Sequence, residues 1–180
     1  MKIGLISDTH SYLDPQVLEY FAHCDQVWHA GDIGTAEVAQ ALQAICPLKA
    51  VHGNIDGNDL RNNYPHDQEF DCEGFKVWIT HIGGFPPDYT TKIRQQLDSL
   101  KPQIFVCGHS HILKIVPDHN RQLIHINPGA AGKEGFHHIR TLLRFDLNPA
   151  PNVFKAITNL EVIHLGKRGS LPTKKEENLE

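Results

Sequence analysis

The sequence predicts an α/β fold, and three patterns carry that prediction. Short apolar runs break off into polar clusters that contain glycine, as strands do where they leave a sheet. Stretches with apolar residues at helical spacing separate the first of these runs. Towards the end of the chain the strand pattern continues without helices, which predicts that its last members lie in a second sheet.

Residues 2–7 form an apolar run with no breaker beyond Gly4 and read as a central strand that ends in Asp8-Thr9-His10. Asp14-Pro15 supplies an N-cap and a proline at the first helical position, with Val17, Leu18, Phe21 and Ala22 at helical spacing behind it. Val27 and Trp28 begin a second strand, which runs into His29-Ala30-Gly31-Asp32. A helix is predicted over 35–44, with Val38, Ala41, Leu42 and Ile45 on one face and Pro47 ending it. Residues 49–51 form a third strand and spill into His52-Gly53-Asn54-Ile55-Asp56-Gly57, while 58–67 is polar and reads as a surface connection.

Residues 68–72 and 76–80 flank Glu73-Gly74, a hairpin signal. The second arm delivers His81, followed by the irregular Gly83-Gly84-Phe85-Pro86-Pro87. A helix over 90–100 leads through Pro102 to a buried strand over 104–106, which empties into Gly108-His109-Ser110-His111. Strands over 112–116 and 122–126 surround a turn at Asp118-His119-Asn120, and Asn127-Pro128-Gly129 closes the second. Residues 141–146, 153–157 and 162–165 are the strands expected in the second sheet.

A chain of 180 residues is long enough for one sizeable core, so a single domain is expected over 1–165, with a loose, charged tail over 166–180. No apolar run approaches the roughly 20 residues of a membrane span, and Asp8 interrupts the apolar start before a signal peptide could build up. A cytoplasmic location and no membrane partner are expected. Cys24, Cys46, Cys72 and Cys107 show no Cys-x-x-Cys pairing and read as reduced, buried small residues rather than a zinc knuckle. The formal net charge of −4, with no basic stripe, argues against a nucleic acid polymer as partner. A homo-oligomer is left open.

Thirteen histidines call for a reason. Laid side by side, the strand ends offer Asp8 and His10, Asp32, Asn54, His81, then His109 and His111, all of them metal-ligand types. Loops at the carboxyl ends of strands gather into one crevice, so these five loops are expected to meet. Seven ligands exceed one catalytic site, which takes three protein ligands and water, so two divalent ions are implied. Mixed oxygen and imidazole donors suit manganese, iron, nickel or zinc better than magnesium or calcium, and manganese is the first choice. Two dications outweigh Asp8, Asp32 and a bridging hydroxide, leaving a positive centre suited to an anion. Ions about 3.5–4 Å apart hold the attacking and leaving oxygens of a phosphoryl displacement and make hydroxide available near neutrality. Phosphoester hydrolysis is the chemistry that follows.

The order Asp8-x-His10, Gly31-Asp32, Gly53-Asn54, His81, Gly108-His109-x-His111 resembles the calcineurin-like metallophosphoesterase superfamily. Within it the chain is most similar to the small single-domain bacterial and archaeal phosphodiesterases related to the retromer scaffold subunit, a branch that Asn127-Pro128-Gly129 also matches. The resemblance implies a four-layer αββα sandwich, two sheets packed face to face with helices outside. It implies Asp8, His10, Asp32 and His111 on one ion and Asp32, Asn54, His81 and His109 on the other, with Asp32 bridging. It implies attack by the bridging hydroxide, His10 or neighbouring imidazoles stabilising the transition state, and Asn54 positioning the phosphate. The substrate expected is a small phosphodiester, with a monoester or nucleotide second. The competing reading is a protein-interaction scaffold on the same fold.

One position departs from that pattern. Many members have histidine after the Gly-Asn pair as a general acid, and the small branch often has cysteine; here Ile55 has no proton to give. Good leaving groups, or a proton from His52 or solvent, are expected to compensate. Phe85 could stack on a substrate base or pack under its own loop. His137, His138 and Arg140 could reach a phosphate or line an exposed strand edge, and His23, His66, His119 and His164 read as surface residues.

Overall fold

The computed structural model describes residues 1–169. Along the chain it contains β1 (Lys2–Ile6), α1 (Pro15–Phe21), β2 (Gln26–His29), α2 (Ala36–Gln43), β3 (Leu48–Ala50), α3 (Asn58–Asn63), β4 (Asp67–Cys72), β5 (Phe75–Thr80), α4 (Thr91–Leu100), β6 (Ile104–Val106), β7 (Leu113–Asp118), β8 (Leu123–Pro128), β9 (Ile139–Leu147) and β10 (Ile157–Lys167). The strands form two five-stranded sheets, ordered β10-β9-β1-β2-β3 and β4-β5-β6-β8-β7. In the first, β1, β2 and β3 run parallel; in the second, β5, β6 and β8 do.

Alternation along the strands stacks these sheets. Ile3 and Leu5 of β1, Val77 and Ile79 of β5, and Ile104 and Val106 of β6 share one buried cluster between the sheets. The intervening residues face outward under helices. Ile6 packs with Val17 and Phe21 of α1 and Leu42 of α2, while Trp78 and Phe105 pack with Ile93 and Leu97 of α4. The result is two mixed sheets between helical layers, the α/β sandwich that the sequence predicts. Helix starts follow local chemistry: the Asp14 carboxylate accepts from the Gln16 amide ahead of α1, and the Thr90 hydroxyl from the Ile93 amide ahead of α4.

Four expectations are corrected. The strands β9 and β10 belong to the first sheet, because β9 pairs antiparallel with β1, Lys2 opposite Asp146 through Leu5 opposite Leu143. The polar connection after Gly57 contains α3, whose single apolar residue, Leu60, is buried against the first sheet's helical layer. Residues Val153–Lys155 form a 3-10 turn, not a strand, with Val153 buried beside the inter-sheet cluster. Arg140 lines no exposed edge: it is fully buried, and donates to Asp14 at 2.8 Å and to the Leu165 carbonyl inside the fold. Of the expected loose tail, Gly166 and Lys167 lie in β10, and residues 170–180 fall outside the described residues. No described helix is long and apolar enough to cross a membrane.

Candidate metal centre

The loops after β1, β2, β3, β5 and β6 meet at one end of the sandwich, so the first sheet contributes Asp8, His10, Asp32 and Asn54 and the second His81, His109 and His111. Asp8, His10 and His111 each place a donor atom within 4.8 Å of the others, and so do Asp32, His81 and His109. In the first cluster His111 Nε2 lies 3.2 Å from Asp8 Oδ1 and 3.3 Å from His10 Nε2. In the second, His81 Nε2 lies 3.3 Å from Asp32 Oδ1 and 3.0 Å from Asn54 Oδ1. Asp32 turns its other oxygen to His10, 3.7 Å away, and so stands between the clusters.

Backbone conformation shows how tightly these side chains are placed. Asp8, His10, Asp32, His109 and His111 all have positive φ, between 46° and 66°, a region that costs an L-residue about 1–2 kcal/mol and that Asp, Asn and His tolerate best. Close approach explains two of the motif glycines. A Cβ at Gly53 would sit 2.0 Å from Asp32 Oδ1, and one at Gly108 would sit 2.0 Å from Ser7 Oγ.

Hydrogen bonds hold the donors from behind. Ser7 Oγ donates to Asp8 Oδ2 at 2.6 Å, and the His109 amide donates to both Asp8 oxygens. The Ile55 amide donates to Asp32 Oδ1. Asp56, buried, accepts from the amides of Ile33, Gly34 and Gly53 and so ties the Asp32 turn to the Asn54 turn. Asn127 Nδ2 donates to the Gly108 carbonyl at 2.8 Å, stapling the turn that carries His109 and His111.

Two imidazoles have their outer nitrogen engaged, which decides the tautomer. His81 Nδ1–H donates to the Ala30 carbonyl at 2.8 Å, turning Nε2 inward. His137 Nε2–H donates to the Gly132 carbonyl at 3.0 Å, so its Nδ1 accepts from His111 Nδ1–H at 3.2 Å, and the neutral His111 keeps a lone pair on Nε2. The sequence suggests a phosphate contact or a strand edge for His137; its place is behind His111. His138 makes no such contact and is exposed.

The electrostatics favour positive charge at the centre. Burial would lower the pKa of His81, but the Asp32 hydrogen bond, the charges of Asp8 and Asp32 and the Ala30 carbonyl outweigh it and raise the value. For Asp32 burial acts upward, and the contact with His81 and the Ile55 amide prevail and lower it. Among the described residues the ion pairs of Asp8 and Asp32 are with histidines. Carboxylates, an amide oxygen and inward imidazole nitrogens, without a lysine or arginine paired to the carboxylates, are a donor set that fits divalent cations.

His29 sits beside the centre but serves the scaffold. Burial lowers its pKa to about 4; Nδ1 accepts from the Gly31 amide and Nε2 meets Thr9 Oγ1 at 3.0 Å. Ile55 is 46% exposed at the rim. His52 lines a cleft of about 170 Å³ with Asn54, Arg61, His66 and His81. Larger clefts lie along α2 and α3 and beside β10, away from both donor clusters.

Residues 1–150 match the calcineurin-like phosphoesterase superfamily domain. A probable metallophosphoesterase of Methanothermobacter thermautotrophicus is 28% identical over 137 residues, covering 72% of this chain and 77% of its own. Among solved structures, Vps29 of Entamoeba histolytica complexed with Zn²⁺ superposes with a TM-score of 0.69 at 17% identity, over 91% of this chain and 99% of its own. Yfce, a phosphoesterase of E. coli, does so with a TM-score of 0.60 at 21% identity, over 89% and 98% of the two chains.

Proposed function

The chain belongs to the calcineurin-like phosphoesterase superfamily, and from that premise we propose that it is a metal-dependent phosphodiesterase working on a small phosphodiester. The observation that carries this reading is the pair of donor clusters with Asp32 between them. Asp8, His10, Asp32 and His111 would hold one divalent ion and Asp32, Asn54, His81 and His109 the other, with manganese the first of the first-row ions to try on these mixed oxygen and imidazole donors. Two such ions, when bound, lower the pKa of water and hold the attacking and leaving oxygens of a phosphoester.

The protein's own contribution is placement. Asp32 sets the spacing of the two sites, while Ser7, Ala30, Asp56 and His137 keep the donors from rotating. Asn54 directs its amide Nδ2 to a phosphoryl oxygen, and His10, partly open to solvent, faces the charge that develops there. The Ile55 side chain supplies no proton, so substrates with good leaving groups are favoured.

Two clefts support a diester. One is lined by Asn54 and His81 and the other by Ser110, whose neighbours in the chain are His109 and His111, which gives each ester arm a place. The free thiols of all four cysteines fit a reducing compartment, the cytoplasm. Likeness to Vps29 keeps a second reading in view, an interaction scaffold on the same fold, although the full set of seven donors favours hydrolysis. Metal analysis with turnover of bis(p-nitrophenyl) phosphate separates the two. The expected result is activity with Mn²⁺ that Asp32→Ala and His109→Ala remove; inactivity with every metal tried favours the scaffold.

A further inference from the structure

We propose that the cleft walled by Phe85, Ile112 and His125 is a subsite for an aromatic arm of the substrate. This deepens the phosphodiesterase reading and rests on it. The cleft, of about 90 Å³, is lined by Ser110 and Asn127; Asn127 Nδ2 donates to Ser110 Oγ and to the Gly108 carbonyl, so the cleft adjoins the turn that carries His109 and His111, one from each donor cluster. That volume suits one small ring.

The surroundings say what kind of ring. Ile55, Ile82 and Ile112 each follow a candidate donor directly, Asn54, His81 and His111, and each is about half exposed or more: 46%, 50% and 60%. Phe85, on the loop after His81, is 39% exposed. Two of these apolar side chains, Phe85 and Ile112, line the cleft and offer a flat group its faces. Polar groups complete the wall. His125 is fully buried, its Nδ1 has no partner, and its Nε2 meets only the Cys107 thiol at 3.9 Å. A buried ring nitrogen without a partner is a costly omission, and the ring that carries it forms part of the cleft wall. The Lys114 ammonium stands 3.5 Å over the Phe85 ring, a cation–π contact that orients the ring and leaves a donor at the cleft mouth. An alkyl chain would use the apolar walls alone and a sugar the polar groups alone. A heteroaromatic or aryl ring uses both.

The test employs the full chain and three phosphonates as unreactive probes: methyl-, cyclohexyl- and phenylphosphonate. Inhibition of bis(p-nitrophenyl) phosphate turnover by the Mn²⁺ form gives their inhibition constants, and calorimetry gives their dissociation constants. Phenylphosphonate is expected to bind about tenfold tighter than the other two, a typical worth for aromatic stacking. Phe85→Ala should bring the three within about twofold, whereas the control Leu160→Ser, on β10, keeps the difference. In the Zn²⁺ form, phenylphosphonate alone should shift the ring resonances of His125. Equal affinities and an unmoved His125 overturn the subsite, even when turnover is brisk and the phosphodiesterase reading stands. Absence of turnover together with tight phenylphosphonate binding and a shifted His125 removes the hydrolase reading and supports the cleft as an aryl site.

Discussion

The two donor clusters are built alike and braced differently. In the Asp32 cluster, His81 is aimed by a backbone carbonyl, that of Ala30 in the turn before Asp32, and Asp56 fastens that turn to the next by three amides. In the Asp8 cluster, His111 is aimed by another side chain, His137, which is itself held by Gly132. The Ala30 carbonyl that aims His81 persists through any substitution that preserves the fold. A side-chain brace can be removed by one mutation, so the two ion sites should be separable by experiment.

Asp32→Ala tests whether the clusters share a member. Turnover should fall by roughly 10³-fold, and stepwise calorimetric titration with Mn²⁺ should show both sites weakened. Loss of only one site would mean that Asp32 does not bridge.

Acid should loosen the Asp32 side through His29. Its folded pKa, about 4, lies below the ordinary value of 6.5, so the unfolded chain takes the proton first. The corresponding stability is complete above about pH 6.5 and is lost as pH falls towards 4, on the order of 3 kcal/mol. His125, also lowered to about 4 by burial, adds a loss of the same sign in the same window. Urea unfolding of the metal-free protein at pH 7, 5.5 and 4 measures the sum, and a flat profile would refute it.

His137→Ala is the sharpest test of the contrast. Loss of an outer hydrogen bond to a ligand typically weakens metal affinity by about 10–100-fold, here at the Asp8 site alone. Equal weakening of both sites would show that the bracing is common to them. The smallest effect is expected from Asp56→Asn, which keeps one acceptor oxygen and loses the charge: about tenfold at the Asp32 site, read in the same titration.

Much of this was legible in the sequence because strand ends are local signals. An apolar run that stops at Asp8, Asp32, Asn54, His81 or His109 announces both the strand and the direction of its loop. Pairing partners are not local. Nothing in residues 139–147 distinguishes a strand that completes the first sheet from one that extends the second, so β9 and β10 were expected in the wrong sheet. Leu60 alone gives no helical period, and Val153 and Phe154 look like strand until the 3-10 turn docks Val153 into the core. His137 and Arg140 sit close together in sequence and have opposite fates, one behind His111 and the other buried against Asp14, set by contacts 26 and 126 residues away. Asp56 had a usable signal, a carboxylate two residues beyond Asn54 in a glycine-bounded turn.

The pairing of β1 with β9 has a bearing on biosynthesis. The strand that leads into Asp8 is made long before residues 139–147, yet one of its two neighbours is not complete until residue 147 has been added. Until then the amides and carbonyls along that side of Lys2–Ile6 have no ladder to join, and an unpaired strand edge invites wrong partners. Closing the first sheet around the strand that carries Asp8 and His10 therefore waits for residues 139–147, which supply its second neighbour.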